Sequence, residues 1–255
     1  MKNEWRKLPE KYEGKVISSN FGHIKHLSGS KLIDKEDVLM SVEAQKKFTD
    51  KVQDPTHDRI IVSEKIDGMN GGAVKKNGLI YPINRKGYDS RQMGTTHEEL
   101  KPLGNGWAQW VDDHYETLDE LLEEGERLVF ENAMFQHTIR YKFKNGNGPV
   151  FLLAKFDNNN KKLPFEENIK LAEKIGITIP PVLYTGVIAI DPRELIRQFP
   201  KGLVGAIDGI EGVVYRYEHI DDKGVVNSSY AKYVSNVKFI NGDNNKGFSG
   251  IMNKF

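Results

Sequence analysis

A lysine at the end of an apolar run is the residue of this sequence best placed to act as a nucleophile. Lys65 comes soon after the run 60–62 and is followed by Asp67 and Gly68. The run predicts a buried strand that fixes the position of the lysine, and the glycines that follow allow a ligand to approach the backbone closely. The Lys-x-Asp-Gly pattern is short, and taken alone it also fits a solvated surface lysine.

Three further charged residues stand at the ends of predicted strands. Arg85 could clamp a phosphate with two N–H groups, Glu131 could accept a ribose hydroxyl, and Glu211 could bind Mg²⁺ together with phosphate oxygens. Each also has a simpler interpretation: a solvated turn arginine, a strand-end acid that faces water, and a turn acid. Local sequence does not separate these alternatives.

Two predicted strands carry side chains that a nucleotide could use. Lys232 lies among apolar and aromatic neighbours, where it would either extend to the edge of the sheet or, if held inside, need an anion such as a nucleotide phosphate. Lys238 is a second candidate for that contact. Phe156 ends the apolar run 150–156, and its ring would either pack in the core or stack on a purine base.

Short apolar runs separated by turn residues dominate the pattern of the chain. Such runs predict strands at 59–64, 72–75, 79–84, 127–132, 138–143, 150–156, 212–217 and 229–234. Apolar residues at helical spacing predict helices at 41–51, 107–122, 165–175 and 192–199. Many strands of antiparallel type with a few inserted helices indicate a mixed α+β fold. We expect one domain over 1–255, with 1–58 packed on it as an N-terminal segment and about 242–255 as a frayed tail.

The composition excludes several classes of protein. The chain has 255 residues, no cysteine and a net charge of +1, so disulfide scaffolds, thiolate zinc sites and cysteine nucleophiles are ruled out. A nearly neutral chain has no global positive field, and any surface for nucleic acid must therefore be a local basic patch. The polar N-terminus and the lack of a long apolar run predict neither a signal peptide nor a membrane span, and hence a cytoplasmic protein without a membrane partner.

In their order along the chain, these candidates resemble the motifs of the covalent nucleotidyltransferases, the superfamily of ATP-dependent ligases and mRNA-capping enzymes. The matching positions are Lys65-Ile66-Asp67-Gly68, Arg85, Glu131, Phe156-Asp157, Glu211-Gly212 and Lys232. The RNA ligase family is the most similar branch. In that branch, a Gly-Glu-x-Leu segment is followed by Glu-Asn and then by a His-Ser/Thr-Ile segment. Here the first two pieces lie within 125–132, and His-Thr-Ile stands at 137–139. The stretch 24–31 also resembles the N-terminal segment of that branch.

The resemblance implies an ATP-grasp-like ligase adenylation domain of antiparallel sheets flanked by helices, spanning about residues 20–240. Two features depart from the family pattern. Val234 stands where many ligases have the second lysine of the last motif, which leaves Lys238 as a substitute phosphate contact. Only a short tail follows Lys232, so no C-terminal oligonucleotide-binding barrel is expected.

By resemblance, the implied function is that of an ATP-dependent RNA ligase that joins 5′-phosphate and 3′-hydroxyl ends through a lysyl-AMP intermediate on Lys65. The implied ligands are ATP and Mg²⁺, with Mn²⁺ as a substitute metal. The implied partners are RNA ends and end-healing kinase or phosphatase enzymes. The implied contacts are Glu64 with the adenine edge, Glu131 with ribose, Arg85 with phosphate or ribose, Phe156 (or Phe151 in its place) with adenine, Glu211 with the metal and Lys232 with phosphate.

Two other kinds of function stay open. A DNA-nick ligase or a GTP-dependent capping-type enzyme would share these motifs, although the expected lack of a barrel argues against both. A non-catalytic module that binds RNA ends is the alternative outside enzymes, and the intact lysine, acids and arginine argue against it. The sequence contains no GxxxxGK[ST] loop, which excludes P-loop phosphate chemistry.

Overall fold

The computed structural model describes residues 15–32, 35–92, 106–144, 146, 148–235 and 251–254. The chain divides into two compact units, each assembled from separate stretches of sequence. The unit that contains Lys65, here called the lysine unit, comprises His23–Gly68, Phe135–Pro149 and Pro180–Phe255. The unit that contains Arg85, the arginine unit, comprises Met1–Gly22, Met69–Met134 and Val150–Ile179. That the two units act as a single domain stays a prediction.

The described elements are short, and the strands pair in an antiparallel manner. The helices are α1 (Val42–Thr49), α2 (Trp107–Asp113), α3 (Tyr115–Leu121), α4 (Phe165–Ile175) and α5 (Pro192–Gln198), with a short 3-10 helix at Ser90–Gln92. The strands are β1 (Asp58–Lys65), β2 (Met69–Lys76), β3 (Leu79–Asn84), β4 (Arg127–Asn132), β5 (Val150–Phe156), β6 (Val182–Gly186), β7 (Gly212–Ile220) and β8 (Val226–Val234). Two four-stranded antiparallel sheets with few helices confirm the mixed α+β fold. None of the helices in the described part of the chain is long and apolar enough to cross a membrane.

The lysine unit is built on a sheet with strand order β6-β1-β7-β8. Ile60 and Val62 of β1 pack with Tyr215 of β7 in one hydrophobic core. Because side chains alternate along a strand, the residues between them point to the opposite face, and Lys65 at the end of β1 belongs to that face. In the antiparallel register Lys65 pairs with Gly212, the first residue of β7. The lysine and the segment that leads into β7 therefore meet at the same end of the two strands.

The arginine unit is built on a sheet with strand order β3-β2-β4-β5, and α2, α3 and α4 contribute to the core on one face of it. Trp107 of α2 lies against Gly71, where a side chain would collide with the indole ring. Nε1 of Trp107 donates a hydrogen bond to the carbonyl of Gly72 at 3.1 Å. A Cβ on Gly72 would in turn meet the side chain of Asn20. Protein side chains thus fill the space beside these two glycines.

The segment predicted as the strand 138–143 is irregular in the structure. Two of its N–H groups, those of Thr138 and Ile139, donate to Oδ2 of Asp67 at 2.7 Å each. Further N–H groups of the segment bond to the stretch 251–254. Its backbone donors are therefore satisfied by a side chain and by separate segments, so no ladder with one partner strand forms. Its apolar side chains are buried all the same, which explains the strand-like sequence pattern.

Two other elements differ from the prediction in more than their bounds. The strand β6 is missing from the predicted strands because Pro180 and Pro181 precede it and because, as an edge strand, it is only partly buried. The predicted helix 107–122 is divided into α2 and α3 at His114, whose φ of −108° and ψ of 12° are not helical. The imidazole stacks on Trp110 with ring centroids 4.1 Å apart, and its Nδ1 lies 2.8 Å from the carbonyl oxygen of Trp110.

Candidate active site

An ion pair between Lys65 and Glu211 lies at the centre of the candidate site. Nζ of Lys65 donates a hydrogen bond to Oε2 of Glu211 at 2.6 Å. The antiparallel pairing of β1 with β7 creates this contact, because it sets Lys65 opposite Gly212 and Glu211 immediately precedes Gly212. The side chain of Lys65 is 21% exposed and that of Glu211 only 1%. The amine therefore remains accessible, whereas the carboxylate that binds it is buried.

The end of β8 holds the backbone around Glu211. The N–H of Ser235 donates to the carbonyl of Glu211 at 2.8 Å, and its hydroxyl donates to the carbonyl of Ile210 at 3.0 Å. Gly209 adopts a φ of 112°, a left-handed conformation that favours glycine. The turn before β7 is thus tied to β8, and this fixes the position of the Glu211 carboxylate.

A second lysine, Lys232 of β8, lies within the electrostatic influence of this pair. Burial lowers the pKa of Lys232 and the positive charge of Lys65 lowers it further, whereas Asp37 and Glu211 act in the opposite direction. Nζ of Lys232 donates a hydrogen bond to Oδ1 of Asp37 at 3.1 Å. Asp37 is not among the predicted site residues, because it stands in a polar segment without an apolar run to mark it.

Glu64 is buried next to Lys65 in the chain. Its Oε2 accepts the N–H of Leu203 at 2.6 Å and that of Val204 at 3.4 Å. Its Oε1 is buried without a hydrogen-bond partner within the described ranges. Burial outweighs the two N–H bonds and raises the pKa of Glu64 to about 7. The predicted contact of Glu64 with the adenine edge stays a prediction.

Asp67 anchors the chain that follows Lys65. Its Oδ2 accepts the N–H groups of Thr138 and Ile139, and its own N–H donates to the hydroxyl of Tyr141 at 2.8 Å. Burial is the main reason that the pKa of Tyr141 lies well above its usual value, so the hydroxyl keeps its proton. Asp67 of the Lys-x-Asp-Gly pattern thus holds the backbone of the segment around Thr138. That Asp67 also takes part in the reaction stays a prediction.

Arg85 and Glu131 belong to the arginine unit. Arg85 is exposed and follows β3, in a turn where Oδ1 of Asn84 accepts two backbone N–H groups at 2.9 and 3.1 Å. Glu131 is half-buried near the end of β4, where it pairs with Asn70 of β2 and with Phe151 of β5. Both residues thus stand near strand ends, and their contacts with phosphate and ribose stay predictions.

Phe156 is buried at the end of β5, and neighbours cover its ring. The guanidinium of Arg127 lies 3.9 Å from the ring centroid, and Phe21 meets the ring edge-on with centroids 5.8 Å apart. Burial lowers the pKa of Arg127 to about 10. The alternative aromatic residue, Phe151, is also buried. These are packing contacts inside the arginine unit. Stacking on adenine stays a prediction for Phe156 and for Phe151.

The acidic residues of the described ranges form no cluster of three or more His, Cys, Asp or Glu side chains that could hold a metal ion. Mg²⁺ does not require such a cluster, because it keeps several waters and is commonly bound through one or two carboxylates and substrate phosphates. The buried carboxylate of Glu211 beside Lys65 fits that requirement. Lys238, the predicted substitute for the second lysine of the last motif, lies outside the described residues.

Known proteins resemble this chain in sequence and in fold. An uncharacterized protein of Methanocaldococcus jannaschii is 28% identical over 167 residues, which cover 62% of this chain and 38% of that protein. An archaeal ATP-dependent RNA ligase superposes with a TM-score of 0.46 at 18% identity, over 86% of this chain and 48% of that one. A lysine-to-alanine variant of Naegleria gruberi RNA ligase with ATP and Mn gives a TM-score of 0.52 at 15% identity, over 90% of this chain and 64% of that one.

The chain spans less than half the length of the first two of these relatives. Solved structures at such low identity show the fold alone. The RNA ligase family, in contrast, matches residues 58–234 in sequence. This match runs from the start of β1 to the end of β8 and contains Lys65, Glu211 and Lys232. Because the match covers well over half of the chain, the protein belongs to the RNA ligase family.

Proposed function

We propose that this chain carries out the adenylation and end-joining chemistry of an ATP-dependent RNA ligase. The observation that carries the proposal is the Lys65–Glu211 contact where β1 and β7 meet, with Lys232 on the neighbouring strand β8. Membership of the RNA ligase family supports RNA as the substrate. The ATP and Mn bound by the Naegleria gruberi ligase support the use of ATP and a divalent metal.

In the first step, Nζ of Lys65 attacks the α-phosphorus of ATP. A bond from Nζ to phosphorus forms, the bond from phosphorus to the bridging oxygen breaks, and pyrophosphate leaves, so that AMP stays on the lysine. The nucleophile must be the neutral amine, although the pKa of free lysine is about 10.4. The Lys65 ammonium, which donates to Oε2 of Glu211, therefore gives one proton to water before the attack and a second after the bond to phosphorus has formed. The positive charge of Lys232 favours this release, because a nearby cation disfavours a second ammonium.

Glu211 is the residue that we expect to hold Mg²⁺, or Mn²⁺ in its place, together with phosphate oxygens. When bound, the metal offsets the negative charge on the phosphates. The same carboxylate binds Lys65, so any neutralisation of its charge weakens its hold on the ammonium and favours the free amine. Glu211 therefore binds both the metal and the lysine, and we expect its replacement to slow adenylation severely.

In the second step, AMP moves from Lys65 to the 5′-phosphate of an RNA end. In the third, a 3′-hydroxyl attacks that phosphate, forms the phosphodiester and releases AMP. Each step exchanges one bond to phosphorus for another, so the contribution of the protein is chiefly to bind the nucleotide and align the ends. The predicted nucleotide contacts of Glu64, Arg85, Glu131 and Phe156 belong to this proposal. So do end-healing kinase or phosphatase enzymes as partners, because they would supply the 5′-phosphate and the 3′-hydroxyl.

Joining assays with matched strands test the proposed substrate. The strands share one sequence and a 5′-phosphate and differ only in the sugar of the nucleotides at the 3′-hydroxyl end. We expect faster joining of the RNA end, because the 2′-hydroxyl is the group by which a site distinguishes RNA from DNA. Equal rates for both sugars would instead indicate a general nick-sealing ligase, which joins DNA as well as RNA. Covalent labelling by GTP in place of ATP would indicate a capping-type enzyme, and no labelling by either nucleotide a non-catalytic module.

A further inference from the structure

The segment around His26 lies alongside β8 in the lysine unit. The N–H of Leu27 donates to the carbonyl of Lys232 at 2.8 Å, and the N–H of Lys232 donates to the carbonyl of Lys25 at 3.0 Å. On its other side, the backbone of His26 bonds to the stretch 38–40 through both its N–H and its carbonyl. His26 is thus held between two extended segments, and its imidazole is fully buried.

A chain of side-chain contacts runs from this imidazole to Lys232. Nδ1 of His26 lies 2.6 Å from Oγ of Ser30, and Nε2 lies 2.9 Å from Oδ1 of Asp37. The same oxygen of Asp37 accepts a hydrogen bond from Nζ of Lys232 at 3.1 Å. At the other end, Oγ of Ser30 accepts the N–H of Val234 at 2.9 Å. The chain therefore begins and ends on β8, two residues apart.

One arrangement of hydrogens suits all of these contacts with a neutral imidazole. The Ser30 hydroxyl accepts a backbone N–H, so its own hydrogen is available to Nδ1 of His26. The imidazole proton then stands on Nε2, which lies 2.9 Å from Oδ1 of Asp37 at an angle too bent for a full hydrogen bond. The other tautomer would set a lone pair against the carboxylate, which is unfavourable. Burial lowers the pKa of His26, and the charges of Lys232 and Lys65 add to this effect against the opposite influence of Asp37. These influences favour the neutral form.

We propose that His26 and Asp37 are positioning residues that hold the ammonium of Lys232 where it meets a phosphate of the bound nucleotide. This inference rests on the proposed ligase function. A lysine side chain is flexible, and the contact with Asp37, a residue that itself contacts a buried imidazole, restricts where Nζ can lie. The restriction matters in this chain because Val234 replaces the second lysine of the last family motif, so position 234 contributes no ammonium to the same task.

A matched pair of His26 variants tests the positioning role. In His26→Gln the amide nitrogen can reach the position of Nε2 and donate to Asp37, whereas in His26→Asn it can reach only the position of Nδ1. We expect the rate of Lys65 adenylation at saturating ATP to fall about tenfold to a hundredfold in the asparagine variant and less than about threefold in the glutamine variant. The ATP concentration for half-maximal rate should rise in the asparagine variant, because the displaced ammonium contacts a phosphate of bound ATP, and should change less than about twofold in the glutamine variant.

Asp37→Asn provides an independent variant, since the change is isosteric and the side chain is 9% exposed, whereas the imidazole of His26 is fully buried. It should slow adenylation as much as His26→Asn, and the double variant should be no slower than either alone, because both act through one contact. Thermal melting identifies variants that fail to fold, and Asp37→Asn then decides the question by itself. Equal rates for the two His26 variants, additive losses, or a normal rate in Asp37→Asn would overturn the inference. A wild-type protein that forms no AMP adduct would overturn the proposed function instead.

Discussion

Glu64 couples the stability of the lysine unit to pH. Burial raises the pKa of its carboxyl from 4.5 to about 7 against the opposing effect of the N–H groups of Leu203 and Val204. Between these two values the folded chain binds a proton that the unfolded chain has released, so the free energy of unfolding falls as the pH rises. At ~1.36 kcal/mol per pKa unit, the shift corresponds to about 3 kcal/mol. This contribution is fully present below pH 4.5 and is lost as the pH rises through about 7.

The substitution Glu64→Gln removes this titration while its amide oxygen can still accept the N–H of Leu203. Urea unfolding across the pH range 4.5 to about 7 and above gives the free energy of unfolding of both proteins. The free energy of unfolding of the wild type minus that of the variant should decline by about 3 kcal/mol as the pH rises. Glu173→Gln, which changes an exposed acid on α4, is the control. A difference that is constant with pH, or that rises with it, would refute this account of Glu64.

Three further predictions follow from the same structure. Gly202→Ala should lower the free energy of unfolding by more than about 1 kcal/mol, because Gly202 has a φ of 59° and a Cβ there would collide with the Glu64 carboxylate. Gly224→Ala, at a φ of 76° in open space, isolates the backbone strain in the same measurement. Glu211→Ala should slow single-turnover adenylation more than Glu131→Ala, since a metal ligand stabilises charge by several kcal/mol and a ribose hydrogen bond contributes about 1.5–3 kcal/mol. Equal losses or the reverse order would count against Glu211 as the metal ligand. Affinity for RNA should depend only weakly on salt, because a net charge of +1 implies few phosphate contacts, and a steep slope in a binding titration would contradict this.

Local sequence patterns locate many of the elements. The strands β3, β4 and β5 and the helix α4 begin and end where the sequence predicts. The turn between β2 and β3 has positive φ at Asn77 and Gly78, as a two-residue hairpin requires, and Gly176 ends α4 with a φ of 81°. These boundaries depend on a few adjacent residues, and this is why the sequence reveals them.

The pairings inside the candidate site cannot be derived in this way. Lys65 and Glu211 are 146 positions apart, and Lys232 and Asp37 are 195 positions apart. The local sequence predicts the strand or turn in which each residue lies. Whether two of them come into contact depends on which strands are neighbours in the sheet. For the same reason the bond from Glu64 to Leu203 is invisible in the sequence. The irregular segment 138–143 is a second case, since its N–H groups donate to side chains and backbone carbonyls that are distant in the sequence. No local sequence pattern indicates these partners.

The most direct test of the central claim is the mass of the protein after incubation with ATP and a divalent metal. We predict an added AMP on the wild-type chain, with peptide mapping that assigns it to Lys65. Lys65→Ala and Lys65→Arg should remain folded and carry no adduct, whereas Lys170→Ala, a change of an exposed lysine on α4, should carry it as the wild type does. An adduct that persists in Lys65→Ala, or that maps to another lysine in the wild-type chain, would contradict the assignment of Lys65 as the nucleophile.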